Sequence, residues 1–220
     1  MQKGATSTIA KFEVVTQPFM PWEEAYWSQY GIDLATLERY HVKSICSCTF
    51  TKSAGGKFAV YGLKAVPTYG YFFDNGTRLK IYRPKAKTRF MYAGHFPKPY
   101  IFGYDQLPQN GNIVFITGGE KDVMSLAAHG FSALTFNSET ANIPEDIFEE
   151  LSKRFKKIIF LYDTDETGKR ESSLRVKQYC SKYDVSKIDL PLTGNKTEKD
   201  VSDFFRLGHT AEDLQTMIRI

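Results

Sequence analysis

Two aspartates one residue apart, in Tyr162-Asp163-Thr164-Asp165, follow an apolar run, and alternate residues of an extended segment point the same way. That spacing brings two carboxylates together, and like charges so close need something positive to offset them. Mg2+ answers the need, since it takes carboxylate oxygens while keeping waters and substrate phosphates. Glu120 stands behind another apolar run through Gly118-Gly119, and Asp200 and Asp203 sit in Lys199-Asp200-Val201-Ser202-Asp203. Adding Glu120 and Asp200 to the pair gives a set able to hold one or two divalent ions for phosphoryl or nucleotidyl transfer. Taken singly, an acid just past a strand is as readily a solvated turn or a helix cap.

These acids need a scaffold that brings distant segments to one edge. Ile113–Ile116 is a continuous apolar run, followed by Gly118-Gly119 and a helix through Val123, Leu126 and Ala127 that stops at Gly130. A strand at Ser132–Phe136, a helix over about Pro144–Phe155, a strand at Lys157–Tyr162, a helix near Glu171–Lys182 and a short strand around Ile188–Leu190 continue the alternation. Strand–helix alternation of this kind implies a parallel sheet covered by helices on both faces, with ligands at the carboxyl ends of the strands.

The front of the chain has another texture. Residues 1–20 show no clear period. Trp22–Tyr30 reads as a short helix ended by Gly31, and a second helix starts near Asp33 with Leu34, Leu37 and Tyr40 at helical spacing. From Thr49 to Gly94, short runs rich in Phe, Tyr, Val and Ile are cut by Gly55-Gly56, Pro67 and Asp74-Asn75-Gly76, which reads as an antiparallel meander. We expect a basic subdomain over 1–110 and a catalytic domain over 111–220.

Charge follows the same division. Residues 1–110 hold 14 Lys/Arg against 7 Asp/Glu, and residues 111–220 hold 15 against 18, giving +7 and −3. A basic lobe suits a polyanion, and clustered carboxylates suit divalent cations. Arg78, Lys80, Arg83, Lys85, Lys87, Arg89 and Lys98 occur with no intervening acid, and Tyr82, Phe90 and Tyr92 are interleaved. In a strand, Arg78, Lys80 and Tyr82 share one face while Leu79 and Ile81 share the other, so one side is expected to pack and the other to meet solvent or ligand. Cations with aromatics among them suit a single-stranded backbone with stacked bases; a solvated strand face is the plainer alternative.

Other features exclude classes of function. No run approaches a membrane span, and Met1–Ala10 is polar rather than a signal peptide, so a cytoplasmic protein is expected. Cys46, Cys48 and Cys180 make neither a disulfide framework nor a four-ligand zinc site, so no zinc is expected in this chain.

Over residues 112–205 or so, Gly118-Gly119-Glu120-Lys121-Asp122 after one strand and Asp163-Thr164-Asp165 with Gly168 after another resemble the Toprim domain of bacterial-type primases, topoisomerases and some nucleases. Lys199-Asp200-Val201-Ser202-Asp203-Phe204 is similar to the Lys-Asp-x-x-Asp/Asn segment of the primases. Tyr26–Ile32, Leu37–Val42 and Leu79–Pro84 resemble the basic subdomain that precedes Toprim there. The resemblance implies an α/β fold: a Toprim-like parallel sheet with helices on both faces, preceded by a smaller α+β basic subdomain with an antiparallel meander.

The activity implied is that of a DNA primase core, making short RNA primers on single-stranded DNA from nucleoside triphosphates with Mg2+ or Mn2+. Asp163, Asp165 and Asp200 would hold metal, Glu120 would complete the metal site or act as general base, and Asp203 would be a second-line ligand. Arg78, Lys80, Tyr82, Arg83, Lys85, Lys87 and Arg89 would bind template, with Lys80 and Arg83 the candidates for gripping a triphosphate. Lys121 and Lys199 would bind nucleotide or simply neutralise the carboxylates they flank. Such primases usually carry a zinc ribbon and often a helicase, so a replicative helicase or a separate zinc-binding module is an expected partner. A Toprim nuclease and a non-catalytic nucleic-acid-binding replication or mobile-element module are the alternatives.

Overall fold

The computed structural model describes residues 9–53 and 55–218, and residues 1–8 of the polar opening lie outside them. The described residues form two compact units. One holds those up to Ala25 with Leu37–Pro97, and the other holds Tyr26–Thr36 with those from Lys98 onward. Residues 98–110 fall in the second unit for clear reasons: Phe102 exchanges both backbone hydrogen bonds with Thr135, at 3.0 Å each, and Leu107 is buried in that unit's core. Tyr26–Thr36 is tied to the same unit by Ser125, whose buried hydroxyl donates to the Tyr30 carbonyl at 2.7 Å.

The first unit is built on an antiparallel sheet. Its strands are β1 (Ile9–Gln17), β2 (Val42–Lys52), β3 (Lys57–Tyr61), β4 (Tyr69–Phe73), β5 (Arg78–Tyr82) and β6 (Phe90–Ala93). They run in the order β1-β2-β4-β5-β6, with β3 pairing β2. The Asp74–Gly76 turn joins β4 to β5 as expected, with Asn75 at φ 54, a conformation Asn tolerates. Ile45, Cys48, Phe50, Val60, Leu79, Ile81 and Ala93 make its core. Strand β1 is the addition. Phe12 and Val14 alternate toward that core, but Val15 follows Val14 and the β1–β2 register shifts between Val15 and Thr16, so no sustained period of two marks the strand. The expected helices are present as α1 (Pro21–Ser28) and α2 (Leu34–Arg39) on either side of Gly31, at φ +76.

The second unit carries the parallel sheet: β7 (Gly111–Thr117), β8 (Ala133–Thr135), β9 (Phe155–Leu161) and β10 (Val185–Lys187), in the order β10-β9-β7-β8. Between them run α3 (Glu120–Ala128), α4 (Glu145–Arg154) and α5 (Glu166–Tyr179), followed by α6 (Val201–Arg206) and α7 (Ala211–Ile218). Alternation explains the layers. Val114, Ile116, Leu134, Ile158 and Phe160 join Phe148 and Leu151 of α4 and Tyr179 of α5 in one cluster, where the Phe148 and Tyr179 rings stack at 3.8 Å. Phe115, Ile159 and Leu161 point to the opposite face and are equally buried, as are Val123 and Leu126 of α3. Each fully buried side chain of this size contributes roughly 1.5–3 kcal/mol. Two details differ from expectation. Helix α5 starts at Glu166 because Asp165 caps it, accepting from the Gly168 N–H at 3.0 Å, and β10 lies a few residues earlier than Ile188.

The strand order sets the site. The chain leaves β7 for β8 on one side, then returns to β9 on the other, so the connections diverge between β7 and β9 at their carboxyl ends. Gly118 follows β7 and Asp163 follows β9, and the last paired residues of those strands, Thr117 and Leu161, face each other across the ladder.

Candidate active site

Three carboxylates from separate segments converge at that edge. Asp122 comes from the first turn of α3, Asp163 from the loop after β9, and Asp200 from the N-cap of α6, where it accepts from the Asp203 N–H at 2.8 Å. One oxygen of each lies within 4.8 Å of the others. The loops are tied together by backbone: the N–H of Thr164 donates to the Lys199 carbonyl at 2.8 Å and its hydroxyl to the same oxygen at 3.2 Å. Gly168 lets the first turn of α5 close over this loop, since a Cβ there would stand 2.0 Å from the Asp163 carbonyl oxygen.

The electrostatics follow from burial. Asp122 is 5% exposed, and desolvation, then Asp200 and Asp163, raise its carboxyl well above the usual range. Burial also raises Asp163, against the pull of Lys199. For Asp200 burial is outweighed: Lys121, the Ser202 hydroxyl and the Asp203 N–H hold it below the ordinary value. Two lysines balance the acids. Lys199 Nζ bridges Asp163 and Asp165, lying 3.0 Å from Asp165 Oδ2, and Lys121 Nζ lies 3.3 Å from Asp200 Oδ2 and 4.2 Å from the centre of the Tyr30 ring.

Of the acids the sequence singles out, Asp163 and Asp200 enter the cluster and the others surround it. Asp165 meets Asp163 through Lys199, as the alternate-residue spacing anticipates, but spends its other oxygen capping α5. Burial would raise it, and the Gly168 N–H and Lys199 take it below the ordinary value. Asp203 accepts from the Lys199 N–H at 3.1 Å and pairs with Arg206 at 3.2 Å, bracing the segment rather than joining the cluster. Glu120 is buried and accepts from the Tyr100 hydroxyl at 2.6 Å; it is not one of the converging three. Asp122 stands in its stead. Positions 120 and 122 are two apart on a helix, about 200° around the axis, so one turn cannot aim both at the same spot.

A second carboxylate went unmarked by the sequence. Glu139, in the loop after β8, accepts from the Asp163 N–H at 2.5 Å, and burial and then Asp163 push its pKa up to about 7. No spacing pattern points to it, because its neighbours Ser138 and Thr140 read as an ordinary polar loop.

The donor set fits a hard divalent cation. It offers carboxylate oxygens alone, and they are close enough to share an ion.

The basic residues of the first unit divide by burial. Lys80 and Tyr82 are 2% and 3% exposed, so the face opposite Leu79 and Ile81 is not open to solvent there. Lys80 Nζ lies 4.7 Å and 5.4 Å from the centres of the Phe90 and Tyr92 rings, and aromatic cross-strand neighbours fill the rest of that face. Arg78 is held by Asp74 at 2.5 Å. Lys85, Lys87 and Arg89 in the turn between β5 and β6 are exposed and Arg83 is half-buried; Phe90 and Tyr92 beside them are exposed as well. No helix among the described residues is long and apolar enough to cross a membrane.

Comparison with known proteins adds to this geometry. Residues 115–205 match the Toprim-like family. The fold is that of primase catalytic domains. The primase fragment of the bacteriophage T7 primase-helicase protein superposes with a TM-score of 0.58 at 14% identity, covering 99% of this chain and 81% of that one. The zinc-binding and RNA polymerase domains of Aquifex aeolicus primase give 0.64 at 15% identity, over 91% of this chain and 56% of theirs. The DnaG primase catalytic domain bound to single-stranded DNA gives 0.62 at 13% identity, over 91% and 72%. No curated protein sequence matches this chain.

Proposed function

We propose that this chain, with a Toprim-like domain over residues 115–205, is the catalytic core of a DNA primase that makes short RNA primers on single-stranded DNA. The observation that carries the reading is the meeting of Asp122, Asp163 and Asp200 at the carboxyl edge of that domain's sheet. In the reaction a 3′-hydroxyl attacks the α-phosphate of a nucleoside triphosphate and pyrophosphate leaves. Asp122, Asp163 and Asp200 hold Mg2+ or Mn2+. Such an ion, when bound, neutralises charge on the phosphoryl group and aligns the attack.

The remaining residues position and bind. Lys121 and Lys199, at the rim of the cluster, take the phosphates of the incoming nucleotide. Asp165 and Asp203 fix the two ligand loops through α5 and α6, and Glu120 steadies the first turn of α3 through Tyr100. Lys85, Lys87 and Arg89 follow the template backbone, with Arg83 beside them and Phe90 and Tyr92 as stacking surfaces. Lys80, Tyr82 and Arg78 shape the sheet that carries this turn. A replicative helicase or a separate zinc-binding module completes the system; the T7 relative is a primase-helicase protein, and the Aquifex primase has a zinc-binding domain together with its RNA polymerase domain.

Labelled nucleoside triphosphates on a mixed-sequence single-stranded DNA template, with Mg2+ or Mn2+, test the proposal. Short labelled oligomers that vanish with Asp163→Asn support it. Cleaved template without synthesis would identify a nuclease, and salt-sensitive binding with neither would identify a binding module.

A further inference from the structure

Gly118 and Glu139 make a pair whose meaning the aspartate cluster alone does not give. Gly118 sits directly after β7, and a Cβ built on it would lie 3.2 Å from both Cγ and Oε1 of Glu139 and 3.5 Å from Asp163 Oδ1. Glu139 thus lies in the space that a side chain at 118 would take, beside the central ligand. Its Oε1 accepts from the Asp163 backbone N–H at 2.5 Å. The approach is shaped by the loop after β8: Asn137 adopts φ 71, turning the chain, and the Ala141 N–H donates to the Ser138 carbonyl at 3.1 Å. A carboxylate from one loop is thereby fastened to the backbone of another, at the residue from which a metal ligand projects.

We propose that Glu139 is the positioning residue of the Asp163 loop, and that position 118 is glycine because the Glu139 carboxylate occupies the space beside it. This rests on the reading of Asp122, Asp163 and Asp200 as metal ligands. An N–H···O− bond to the ligand's own amide fixes the backbone at Asp163 and so the direction of its side chain. Partners that orient metal ligands typically set metal affinity by 10–100-fold without touching the metal, which is about the effect expected here. The residue acts through Asp163, so its loss should leave the fold and template binding in place.

The test uses the whole chain and two readouts, the Asp163 amide resonance in the metal-free protein and Mn2+ affinity by titration. Glu139→Ala is expected to shift the amide resonance upfield and weaken Mn2+ binding by about 10–100-fold, with thermal melting and single-stranded DNA binding little changed. Glu139→Gln keeps an acceptor oxygen, so it should retain the amide signal and bind Mn2+ more tightly than the alanine variant. Gly118→Ala, which crowds Glu139 without removing it, should move both readouts in the direction of Glu139→Ala. Unchanged Mn2+ affinity in Glu139→Ala overturns the proposal, as does equal loss in the Ala and Gln variants, since charge rather than position would then be at work. If the unaltered protein binds no Mn2+, the metal-site reading fails by itself, and the Asp163 amide resonance still decides whether Glu139 holds the loop.

Discussion

The hydroxyl oxygen of Ser202 lies 2.8 Å from Asp122 Oδ1 and 2.6 Å from Asp200 Oδ1, and one hydroxyl proton cannot serve both. The hydroxyl therefore stands between two acids that their surroundings drive in opposite directions, Asp122 raised chiefly by burial and Asp200 held low by Lys121, this hydroxyl and the Asp203 N–H. Ser202→Ala takes a hydrogen-bond partner from the buried Asp122, and one of several from Asp200, so the metal-free protein should lose about 1–3 kcal/mol in chemical denaturation. A divalent cation takes over those oxygens, so the loss should shrink when Mg2+ is added. An equal loss with and without Mg2+ would contradict this arrangement.

Metal stabilisation should depend on pH in a definite direction. Asp122 and Asp163 are raised above their ordinary 3.8, and Glu139 lies at about 7 against 4.5. A carboxyl with a raised folded pKa gives stability that is fully present below its unfolded value and lost as pH climbs through the folded one. Asp165 and Asp200 run the other way: their contribution is present above 3.8 and lost on acidification below it. As pH climbs through about 7, Glu139 therefore ionises beside Asp163 and the metal-free protein loses stability, while a nearby cation offsets the added negative charge. The rise in Tm on adding Mg2+ should be larger at about pH 8 than at about pH 5.5. A rise of the same size at both would count against a cation held by these oxygens.

Lys199 Nζ occupies carboxylate oxygens of Asp163 and Asp165, where it would compete with a cation for Asp163. Its ammonium bridges Asp163 and Asp165 and is 32% exposed, so the pairs are only partly desolvated. Lys199→Met should cost the metal-free protein about 1–2 kcal/mol, below the penalty for breaking a fully buried pair. Mn2+ should bind at least as tightly as before, because a rival cation has gone. Primer synthesis should nonetheless fall, through loss of a phosphate contact. Weaker Mn2+ binding in this variant would show that Lys199 organises the ligands instead of competing for them.

Template binding should follow exposure rather than charge count. Replacing Lys85, Lys87 and Arg89 together with alanine should lower the slope of log affinity against log salt by about 2, near 0.7 for each lost contact with a single strand. Lys80→Ala should act differently, as a folding defect seen in thermal melting, because that ammonium lies against Phe90 and Tyr92 in a buried setting. A triple variant with an unchanged salt slope would move the template elsewhere.

How much of this was legible in the sequence depends on which residues carried a local pattern. The β7-α3-β8-α4-β9-α5 alternation was readable because long apolar runs and helix stops are local, whereas the spacing that drew attention to Asp163 and Asp165 did not distinguish the member of the carboxylate cluster from the cap of α5. Strand β1 was hidden by the adjacent valines and the register shift at Val15. The burial of Lys80 was hidden too, since alternation predicts which residues share a face and not what covers it. Glu139 left no trace, because its role arises from a space opened by Gly118, 21 positions earlier in the chain.

The choice between Glu120 and Asp122 gives the most direct test of the site, since both are buried acids in the first turn of α3 and helix geometry lets only one face the cluster. Asp122 has an oxygen within 4.8 Å of those of Asp163 and Asp200, whereas Glu120 accepts a hydrogen bond from Tyr100. Asp122→Asn removes a ligand charge and should reduce primer synthesis by at least about 100-fold, the upper end of what the loss of an outer partner costs. Template binding should hold or tighten slightly, because a negative charge has gone from a protein that binds a polyanion. Glu120→Gln keeps an oxygen for Tyr100 and should cost less than about 10-fold, the lower end of that range. The reverse order, with Glu120→Gln the more damaging, would return the catalytic role to Glu120 and make Asp122 a structural acid held by Ser202.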